Sequence, residues 1–327
     1  MPSIKTIAQH AGVSTATVSR VLNNSPTVKE KNRVKVLNSM KALDYRPNLQ
    51  ARALRTRRSN NIIVLIPTIQ NPFFVEILQG ILEEAKKSSY SVIIGTIEGN
   101  LQHVDPYIAM LYSRQADGII FLSTTFDKTI LDKIDRQYPY VLCNELLPGT
   151  QAPCITIDNA KAGFDAASYL LGQGCREIAF VAGRTSSYST AQRLLGYRQA
   201  LEANGLTYLE DHVIYGSNAD IRNASTVIQF IKKRPFDGFI VNSDVKAALV
   251  LKTLSEDASM PGRRPHIVAF DGTYLSEVTI PSLTTVSQPM HRIGKKAASL
   301  LLAHLRTGKP LVARTHVLPH QITVRGT

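Results

Sequence analysis

From residue 61 onward, the sequence alternates short, almost wholly apolar runs with segments of helical periodicity. The apolar runs are NIIVLIP (61–67), SVIIGTI (91–97), DGIIFL (117–122), YVLCN (140–144), EIAFVAG (177–183), DGFIVNSD (237–244) and HIVAFD (266–271). Short runs of this kind are typical of parallel strands buried on both faces. Helical segments intervene at 74–88, 160–171 and 190–204. The alternation predicts doubly wound parallel sheets with helices on both faces.

One pair of segments suggests that this α/β region has two similar halves. RQADGIIFLS (114–123) resembles RPFDGFIVNS (234–243), and in each segment an Asp-Gly pair precedes an apolar run. We therefore expect two homologous subdomains. Asp-Gly before a strand is also common turn chemistry, so the echo alone is weak support.

The first sixty residues differ in charge from the rest of the chain. They hold 12 Lys and Arg against 2 Asp and Glu, whereas the remaining residues hold 26 against 23. A small basic module ahead of a nearly neutral body points to a polyanionic partner, nucleic acid or membrane, and a merely soluble basic surface is the alternative. No apolar run approaches the roughly 18 residues of a membrane span. The N-terminus has no run of signal-peptide type, so we expect a cytoplasmic protein without a membrane partner.

The basic module has the pattern of three short helices. Apolar residues at helical spacing mark the first helix, Gly12 supplies a turn, and Ser14 is placed to cap the second helix. The residues expected to face inward are Ile4, Ile7, Ala8, Ala11, Val13, Val18, Val21, Leu22, Val34, Leu37, Met40 and Leu43. The third helix starts near Lys29 or Glu30 without a good cap, and Thr27 is the alternative capping residue. This arrangement predicts an N-terminal all-α helix-turn-helix domain.

The outer face of the second helix carries Thr15, Ala16, Ser19 and Arg20. A recognition helix must approach the major groove closely, so small side chains near its start are useful. Thr and Ser can bond base edges or phosphates, Ala and Thr methyls can touch thymine methyls, and Arg20 can reach guanine. An ordinary three-helix interaction module is the alternative.

Two stretches, MPSIKTIAQHAGVSTATVSRVLNN and DYRPNLQARAL, resemble the lactose/galactose repressor family of bacterial transcription regulators. The resemblance continues through the chain with its motifs in register. It implies a periplasmic-binding-protein-like core and a role as a repressor of carbohydrate or related metabolism. It also implies that Thr15, Ala16 and Arg20 read bases, while Thr6, Thr17, Asn23 and Tyr45 contact phosphates.

A short basic segment follows the helical module. Pro47 breaks the third helix at Arg46, and Asn48 can cap a helix over 49–54. A helix of about two turns is marginal alone in water, so a frayed basic linker is the alternative for the free protein. The resemblance implies that this segment folds on the operator, with Ala51 in the hinge helix and Leu54, beside Arg55, wedged into the minor groove.

The resemblance also sets the expected domain boundaries. They are 1–46 for the helix-turn-helix domain, 47–60 for the hinge, and 61–327 for the effector-binding and dimerisation core. Within the core we expect a first subdomain over 61–173 and 289–318, and a second over 174–288 and 319–327.

Polar side chains follow several of the predicted strands. They are Asn71, Asp158, Ser243, Asp244 and Asp271, together with the segment 183–193 that ends at Arg193. Ligands of open parallel sheets bind beyond the carboxyl ends of the strands, and these groups suit a sugar, a sugar phosphate or another polyol. Alternatively, the three aspartates cap the helices that follow them, and Arg193 forms a surface ion pair.

The resemblance sharpens this effector site. It implies that Arg193 and Asp271 grip the effector, Asp158 assists, and Phe73 and Phe74 stack on it or close the cleft. Further lining positions are Ser187, Ser189, Asn218, Ser243 and Gln288. Ser243 stands where an asparagine is frequent, and Asn218 where an aromatic residue sometimes covers a sugar, so the identity of the effector stays open.

The sequence gives no sign of an enzyme or of a cofactor. It contains no GxGxxG after a strand, no Walker loop and no Gly-x-Ser-x-Gly elbow. The cysteines Cys143, Cys154 and Cys175 and the eight histidines have no metal-like spacing; we expect buried thiols and solvated His103 and His212. A transport-type sugar-binding protein and a nucleotide-dependent α/β enzyme are the competing hypotheses.

Two hinge helices on a palindromic site require a dimer. The resemblance places its faces mainly on the first subdomain, at 74–88 and 93–119, and no leucine heptad follows HQITVRGT at the end of the sequence. We expect a homodimer on double-stranded DNA, switched by a small-molecule effector. A corepressor protein, docking at Arg292, Lys295 and Lys296, is the less favoured alternative.

Overall fold

The computed structural model describes most of the 327-residue chain. The described residues are 2–22, 25–45, 58–97, 103–123, 128–134, 138–216, 229–231, 234–256 and 265–327. The chain divides into two compact units, Met1–Ser59 and Asn60–Thr327.

The first unit contains α1 (Ile4–Ala11), α2 (Thr15–Leu22) and α3 (Glu30–Ala42). Ser3 caps α1 in a reciprocal capping box with Thr6, and Gly12 ends α1 at a φ of 64°. The Ser14 hydroxyl accepts from the Thr17 amide at 3.1 Å, as expected of the cap of α2. No side chain caps α3 at Lys29, as the sequence predicts. The two helices joined at a glycine turn confirm the helix-turn-helix prediction.

The buried face of α3 differs from the prediction. Val36 is fully buried and Met40 and Leu43 pack against the same core, whereas Val34 and Leu37 are 46% and 50% exposed. Residues 36, 40 and 43 lie one above another on a helix. The prediction for Val34 and Leu37 was therefore wrong, because the buried face of α3 runs through Val36 and leaves these two apolar side chains exposed.

The second unit contains two sheets. The first sheet is formed by β1 (Asn61–Ile66), β2 (Ser91–Thr96), β3 (Gly118–Phe121), β4 (Tyr140–Cys143), β5 (Cys154–Ile157) and β11 (Thr315–Leu318), in the order β11-β5-β4-β3-β1-β2. The second is formed by β6 (Ile178–Val181), β7 (Val213–Ile214), β8 (Gly238–Val241), β9 (His266–Asp271), β10 (Thr284–Ser287) and β12 (Gln321–Thr323), in the order β12-β10-β9-β8-β6-β7. The pairs are parallel except that β12 runs antiparallel to β10. The predicted doubly wound sheets are confirmed.

Helices cover both faces of each sheet. They are α4 (Pro72–Lys87), α5 (Asp105–Tyr112), α6 (Lys128–Asp132), α7 (Asn159–Gly172), α8 (Tyr188–Ala203), α9 (Asp244–Glu256), α10 (Leu275–Val278) and α11 (Met290–Thr307), with a 3-10 turn at Glu210–His212. Successive residues of β1 serve opposite layers: Ile62 and Val64 belong to one apolar core with Ile77 of α4, while Ile63 belongs to another with Ile108 of α5. This two-sided burial explains why the strands are continuously apolar.

The echo noted in the sequence occupies equivalent places in the two sheets. It contains β3 and β8, each fourth in its sheet as ordered above. The aspartates before these strands both accept hydrogen bonds from backbone N–H groups. Asp117 accepts from Asn60 at 3.0 Å, and Asp237 accepts from Arg176 and Glu177 at 2.8 and 2.9 Å. An Asp-Gly turn alone does not require such a long-range hydrogen bond. Its presence in both sheets therefore supports the expectation of two homologous halves.

Two helix pairs cross at reciprocal glycines, which repeats the same device in each half. A Cβ on Gly80 of α4 would lie 2.1 Å from the His291 carbonyl oxygen, and one on Gly294 of α11 would lie 1.9 Å from that of Ile77. Likewise, Gly163 of α7 approaches the Arg193 carbonyl and Gly196 of α8 approaches the Ala160 carbonyl, with Cβ distances of 2.1 and 1.9 Å. The second crossing fixes the backbone of Arg193 against α7.

Three smaller predictions have clear outcomes. The cysteines are free and buried, as expected, and burial raises the pKa of Cys154 to about 12. His212 is buried rather than solvated, since its Nε2 lies 2.9 Å from Arg234 and its ring packs edge-on to Phe236. Within the described ranges, no helix has both the length and the apolar character needed to cross a membrane.

Candidate functional site

The outer face of α2 presents the predicted base-reading residues. Thr15, Ala16 and Arg20 are exposed, and Thr17 and Ser19 are partly buried. The opposite face places Val18 and Val21 in the module core, with 0% and 3% exposure. The burial of one stripe thus aims the small side chains and Arg20 outward on a capped helix, as a recognition helix requires.

The predicted phosphate contacts have mixed surroundings. The Thr6 hydroxyl lies in the capping box of α1, and that of Thr17 lies 2.9 Å from the Ser14 hydroxyl. Tyr45 is partly buried and packs against the module core. The remaining DNA-binding predictions, Asn23, Asn48, Ala51, Leu54 and Arg55, lie outside the described residues and stay predictions.

Four of the predicted effector-site residues cap helices at the carboxyl ends of strands. Asn71 accepts from the Phe73 amide at 3.0 Å and Asp158 from that of Lys161 at 2.9 Å. Ser187 accepts from Thr190 at 3.1 Å, and Ser243 from Lys246 at 3.3 Å. The capping alternative is therefore confirmed for Asp158. A cap uses one acceptor position of a carboxylate, so an effector contact stays a separate prediction.

Arg193 is a buried cation held by several contacts. It is 3% exposed, its Nε donates to Asn159 Oδ1 at 2.9 Å, and its Nη1 donates to Asn242 Oδ1 at 2.9 Å. Its guanidinium carbon lies 4.1 Å from the centroid of the Phe270 ring. Burial lowers the pKa of Arg193, while Asp271 and Glu145 raise it. These contacts exclude the alternative of a surface ion pair.

Asp271 stands at the end of β9 in a strained and crowded position. It is 5% exposed, its φ is 114°, and its Oδ1 accepts from Gln288 Nε2 at 3.0 Å. Burial raises its pKa well above the ordinary value; Asp244 raises it further, and Arg193 lowers it. Backbone strain of this type costs on the order of 1–3 kcal/mol and clusters at binding sites.

Asp244 lies behind Asp271 as a structural carboxylate. It is fully buried and accepts from the Thr273 amide at 2.6 Å, the Thr273 hydroxyl at 2.8 Å and the Thr285 hydroxyl at 2.9 Å. Burial raises its pKa, and these hydrogen bonds lower it. Asp244 therefore ties β9 and β10 to α9 and does not cap the helix that follows it.

Glu145 joins the two halves and was missed by the sequence reasoning. It follows β4 of the first sheet and is 7% exposed. Its Oε1 accepts from the Ser187 hydroxyl at 2.7 Å and also from the Ser189 hydroxyl, and its Oε2 accepts from the Ser189 amide at 3.1 Å. Ser187 caps α8 and Ser189 lies in its first turn. The same helix contacts the second sheet, where the Tyr197 hydroxyl donates to the Ile178 carbonyl of β6 at 2.8 Å. The strand-end rule that selected Asp158 would have found Glu145 as well.

Other functional side chains differ in how far the sequence could reveal them. Asn159 and Asn242 also follow strands, whereas Lys246, 4% exposed, donates from Nζ to the carbonyl oxygens of Ala182 at 2.7 Å and Gly216 at 2.5 Å. An Asp-Val-Lys segment on a helix gives no sign of such burial.

Phe73 and Phe74, predicted to stack on the effector or close the cleft, lie in the apolar core, 5.3 Å apart between ring centroids. Asn218 lies outside the described residues.

The basic residues of α11 are partly engaged within the chain. Lys295 Nζ donates to Glu83 Oε1 at 3.2 Å, and His291 Nε2 lies 3.0 Å from Glu83 Oε2. Lys87 and Lys295 hold the pKa of Glu83 at about 2. Arg292 and Lys296 are exposed. Among the described residues, no group of three or more His, Cys, Asp or Glu side chains is placed to hold a metal ion.

Two family models match the chain. Residues 3–48 match the model of bacterial regulatory proteins of the lacI family, and residues 167–327 match a periplasmic binding protein-like domain. Catabolite control protein A of Priestia megaterium is 32% identical over 99% of this chain and 98% of its own length. The transcriptional repressor CytR of Escherichia coli is 30% identical over 99% and 96%.

Solved structures agree with the fold. The transcriptional regulator CelR in complex with cellobiose has a TM-score of 0.72 and 27% identity, covering 99% of both chains. The Lac repressor dimer bound to operator and the anti-inducer ONPF has a TM-score of 0.85 and 23% identity, covering 99% of this chain and 98% of that chain. At that identity, the likeness to the Lac repressor shows a common fold.

Proposed function

The chain belongs to the lacI family of bacterial regulatory proteins and is a DNA-binding transcription regulator, and we propose that it is a repressor switched by a small-molecule effector. The observation that carries the proposal is the recognition face of α2, where Thr15, Ala16 and Arg20 are exposed on a capped helix. It works in the bacterial cytoplasm, at the nucleoid when bound to DNA, and has no catalytic role.

Sequence reading takes place in the major groove. Arg20 donates to guanine or to a phosphate, and Thr15 and Ala16 contact neighbouring base edges. The excess of basic residues over 1–60 supplies attraction to phosphates that is independent of sequence and sensitive to salt. Leu54 and Arg55 would extend the contact into the minor groove at the centre of the site, as the resemblance implies.

The effector site is the cleft between the halves of the second unit. Arg193 and Asp271 would hold the effector, as the resemblance implies, with Gln288 beside Asp271. The bonds from Glu145 to Ser187 and Ser189 already cross the cleft, so they are the contacts that an opening or a rotation would change. The cellobiose complex of the similar regulator CelR supports a sugar as the effector.

A homodimer brings two recognition helices to one two-fold symmetric site. The first half carries exposed apolar side chains where the resemblance places the partner. Val75 and Leu82, two turns apart on α4, are 37% and 41% exposed, and Ile94 on edge strand β2 is 44% exposed. Effector binding would rotate one half against the other and change the spacing of the two DNA-binding modules.

Selection of duplexes from a random library by the purified full chain, at about physiological salt, tests the DNA-binding part of the proposal. The expected result is enrichment of a two-fold symmetric sequence by the wild type and a relaxed preference for the Arg20→Ala variant. Addition of cellobiose, glucose or ribose should change the enrichment. If no sequence is enriched under any condition, the proposal of a sequence-specific regulator would have to be withdrawn.

A further inference from the structure

The charges around Arg193 come from both halves of the cleft. Asp271 approaches from its own half and Glu145 from the opposite half, and both raise the pKa of Arg193 against the effect of burial. Glu145 contacts Ser189, one helical turn before Arg193, so a phosphate placed beside this guanidinium would meet the Glu145 carboxylate next to the same cation. Two like charges beside one cation oppose binding.

The beginning of α8 is already occupied by a carboxylate. The N-terminus of a helix favours negative charge, because its first N–H groups have no partner within the helix and the helix dipole is positive there. Glu145 takes this position, accepting from the Ser189 amide at 3.1 Å and from the hydroxyls of Ser187 and Ser189. The protein therefore supplies its own anion where an anionic ligand would otherwise bind.

Two buried amide oxygens, next to Asp271 and Glu145, lack hydrogen-bond donors. Gln288 is 5% exposed and its Nε2 donates a hydrogen bond to Asp271. Its Oε1 has no hydrogen-bond partner among the described residues. The same is true of Asn144 Oδ1, in the residue before Glu145. An amide oxygen can only accept, so hydroxyl or amine groups satisfy it and a phosphate dianion does not.

We propose that Glu145 determines the charge class of the effector: the cleft takes an uncharged or cationic, hydroxylated molecule and rejects its phosphorylated form. This assignment rests on the proposed effector function of the cleft and narrows it, because sugar phosphates are excluded. Glu145 acts in two ways, by repelling an anion near Arg193 and by occupying the start of α8.

The first test uses inorganic phosphate as the probe. The melting temperature of the full chain is measured in phosphate and in chloride at equal ionic strength, for wild type, Glu145→Ala, Glu145→Gln and the control Glu202→Gln. Glu202 is an exposed carboxylate on α8 that pairs with Arg198 at 2.7 Å. Phosphate should raise the Tm of Glu145→Ala by about 2–4 °C more than that of wild type or the control. An equal phosphate effect in wild type and Glu145→Ala would overturn the assignment.

Each variant is compared with itself in the two salts, so a general loss of stability does not obscure the result. The comparison needs neither DNA nor an effector, and it therefore decides the role of Glu145 even if the regulator proposal fails.

A second test compares glucose with glucose 6-phosphate and ribose with ribose 5-phosphate by calorimetry. In any pair that binds wild type, the phosphorylated member should bind about tenfold more weakly or worse, and Glu145→Gln should narrow the difference. A phosphorylated sugar that binds wild type as tightly as its parent would overturn the assignment.

Discussion

Arg20 and Arg193 represent two regions that handle charge in opposite ways. Arg20 is exposed on the outer face of α2, in a module with few acidic residues. Arg193 is 3% exposed, is held by two asparagines and lies near two carboxylates. DNA can therefore add its contacts to the first region, whereas an effector must exchange with partners that are already in place in the second.

This difference predicts different consequences of mutation. Changes on α2 should alter DNA affinity and leave stability almost unchanged, since exposed substitutions usually change stability little. Changes in the cleft should alter stability and response together, because the same contacts hold the fold and the site.

The largest effect is expected for Arg193→Ala. Truncation leaves Asn159 and Asn242 without their donor and Asp271 without its nearby cation, and breaking a buried charged network costs about 3–5 kcal/mol. The Tm of the full chain should fall by about 6–15 °C. Arg20→Ala is the matched control, and a similar Tm for the two variants would remove the distinction between the regions.

A smaller loss of stability is expected for Gly163→Ala. The new Cβ would meet the Arg193 carbonyl oxygen, a backbone atom, at 2.1 Å. Overpacking of this kind costs about 1–3 kcal/mol. Gly172→Ala, on the same helix, has nothing within 4 Å of its Cβ and should be neutral or gain about 0.5–1 kcal/mol. Urea denaturation of both variants checks this, and equal losses would show that the helix crossing is not tight.

Arg20→Ala should weaken binding to the selected duplex by about 1–3 kcal/mol, or roughly 5–150-fold. Lys41→Ala, an exposed cation of α3, should reduce affinity for selected and random duplexes to a similar, smaller extent. Fluorescence anisotropy at fixed salt measures both variants. If Arg20→Ala weakens binding to the selected and the random duplex equally, Arg20 contacts only phosphate.

The pH dependence of stability gives the smallest change for any single step of the measurement. A carboxyl with a raised pKa holds in the folded state a proton that the unfolded chain releases. Stability therefore falls as pH rises from the ordinary aspartate pKa of about 3.9 through the raised value. Asp271→Asn should flatten this decline, by at most about 1.4 kcal/mol per pH unit. Asp158→Asn, at an exposed helix cap, should leave the decline of stability with pH unchanged. The Tm of both variants and of wild type, measured from pH 4 to 8, provides the comparison.

The fold was largely predictable because its signals are local. Buried strands are short and apolar, and the caps at Ser14 and the turn at Gly12 follow from single residues. The face of α3 was mispredicted because Val34 and Leu37 are apolar yet exposed, which periodicity cannot distinguish.

The cleft was only partly predictable. Strand ends and family resemblance pointed to Arg193 and Asp271, which the structure brings near one another. Glu145 and Ser189 are 44 residues apart in sequence, so their contact arises only when the two halves meet. The burial of Lys246 likewise depends on carbonyls from other elements.

The most direct test of the account is the dissociation constant of the full chain for its selected duplex, measured with and without cellobiose, glucose and ribose, for wild type and Arg193→Lys. We predict that one of these sugars changes the wild-type dissociation constant by about 5–150-fold. Arg193→Lys should bind the duplex normally without the sugar, and the sugar should not change its dissociation constant. An identical response of both proteins, or no response of the wild type to any sugar, would contradict the account.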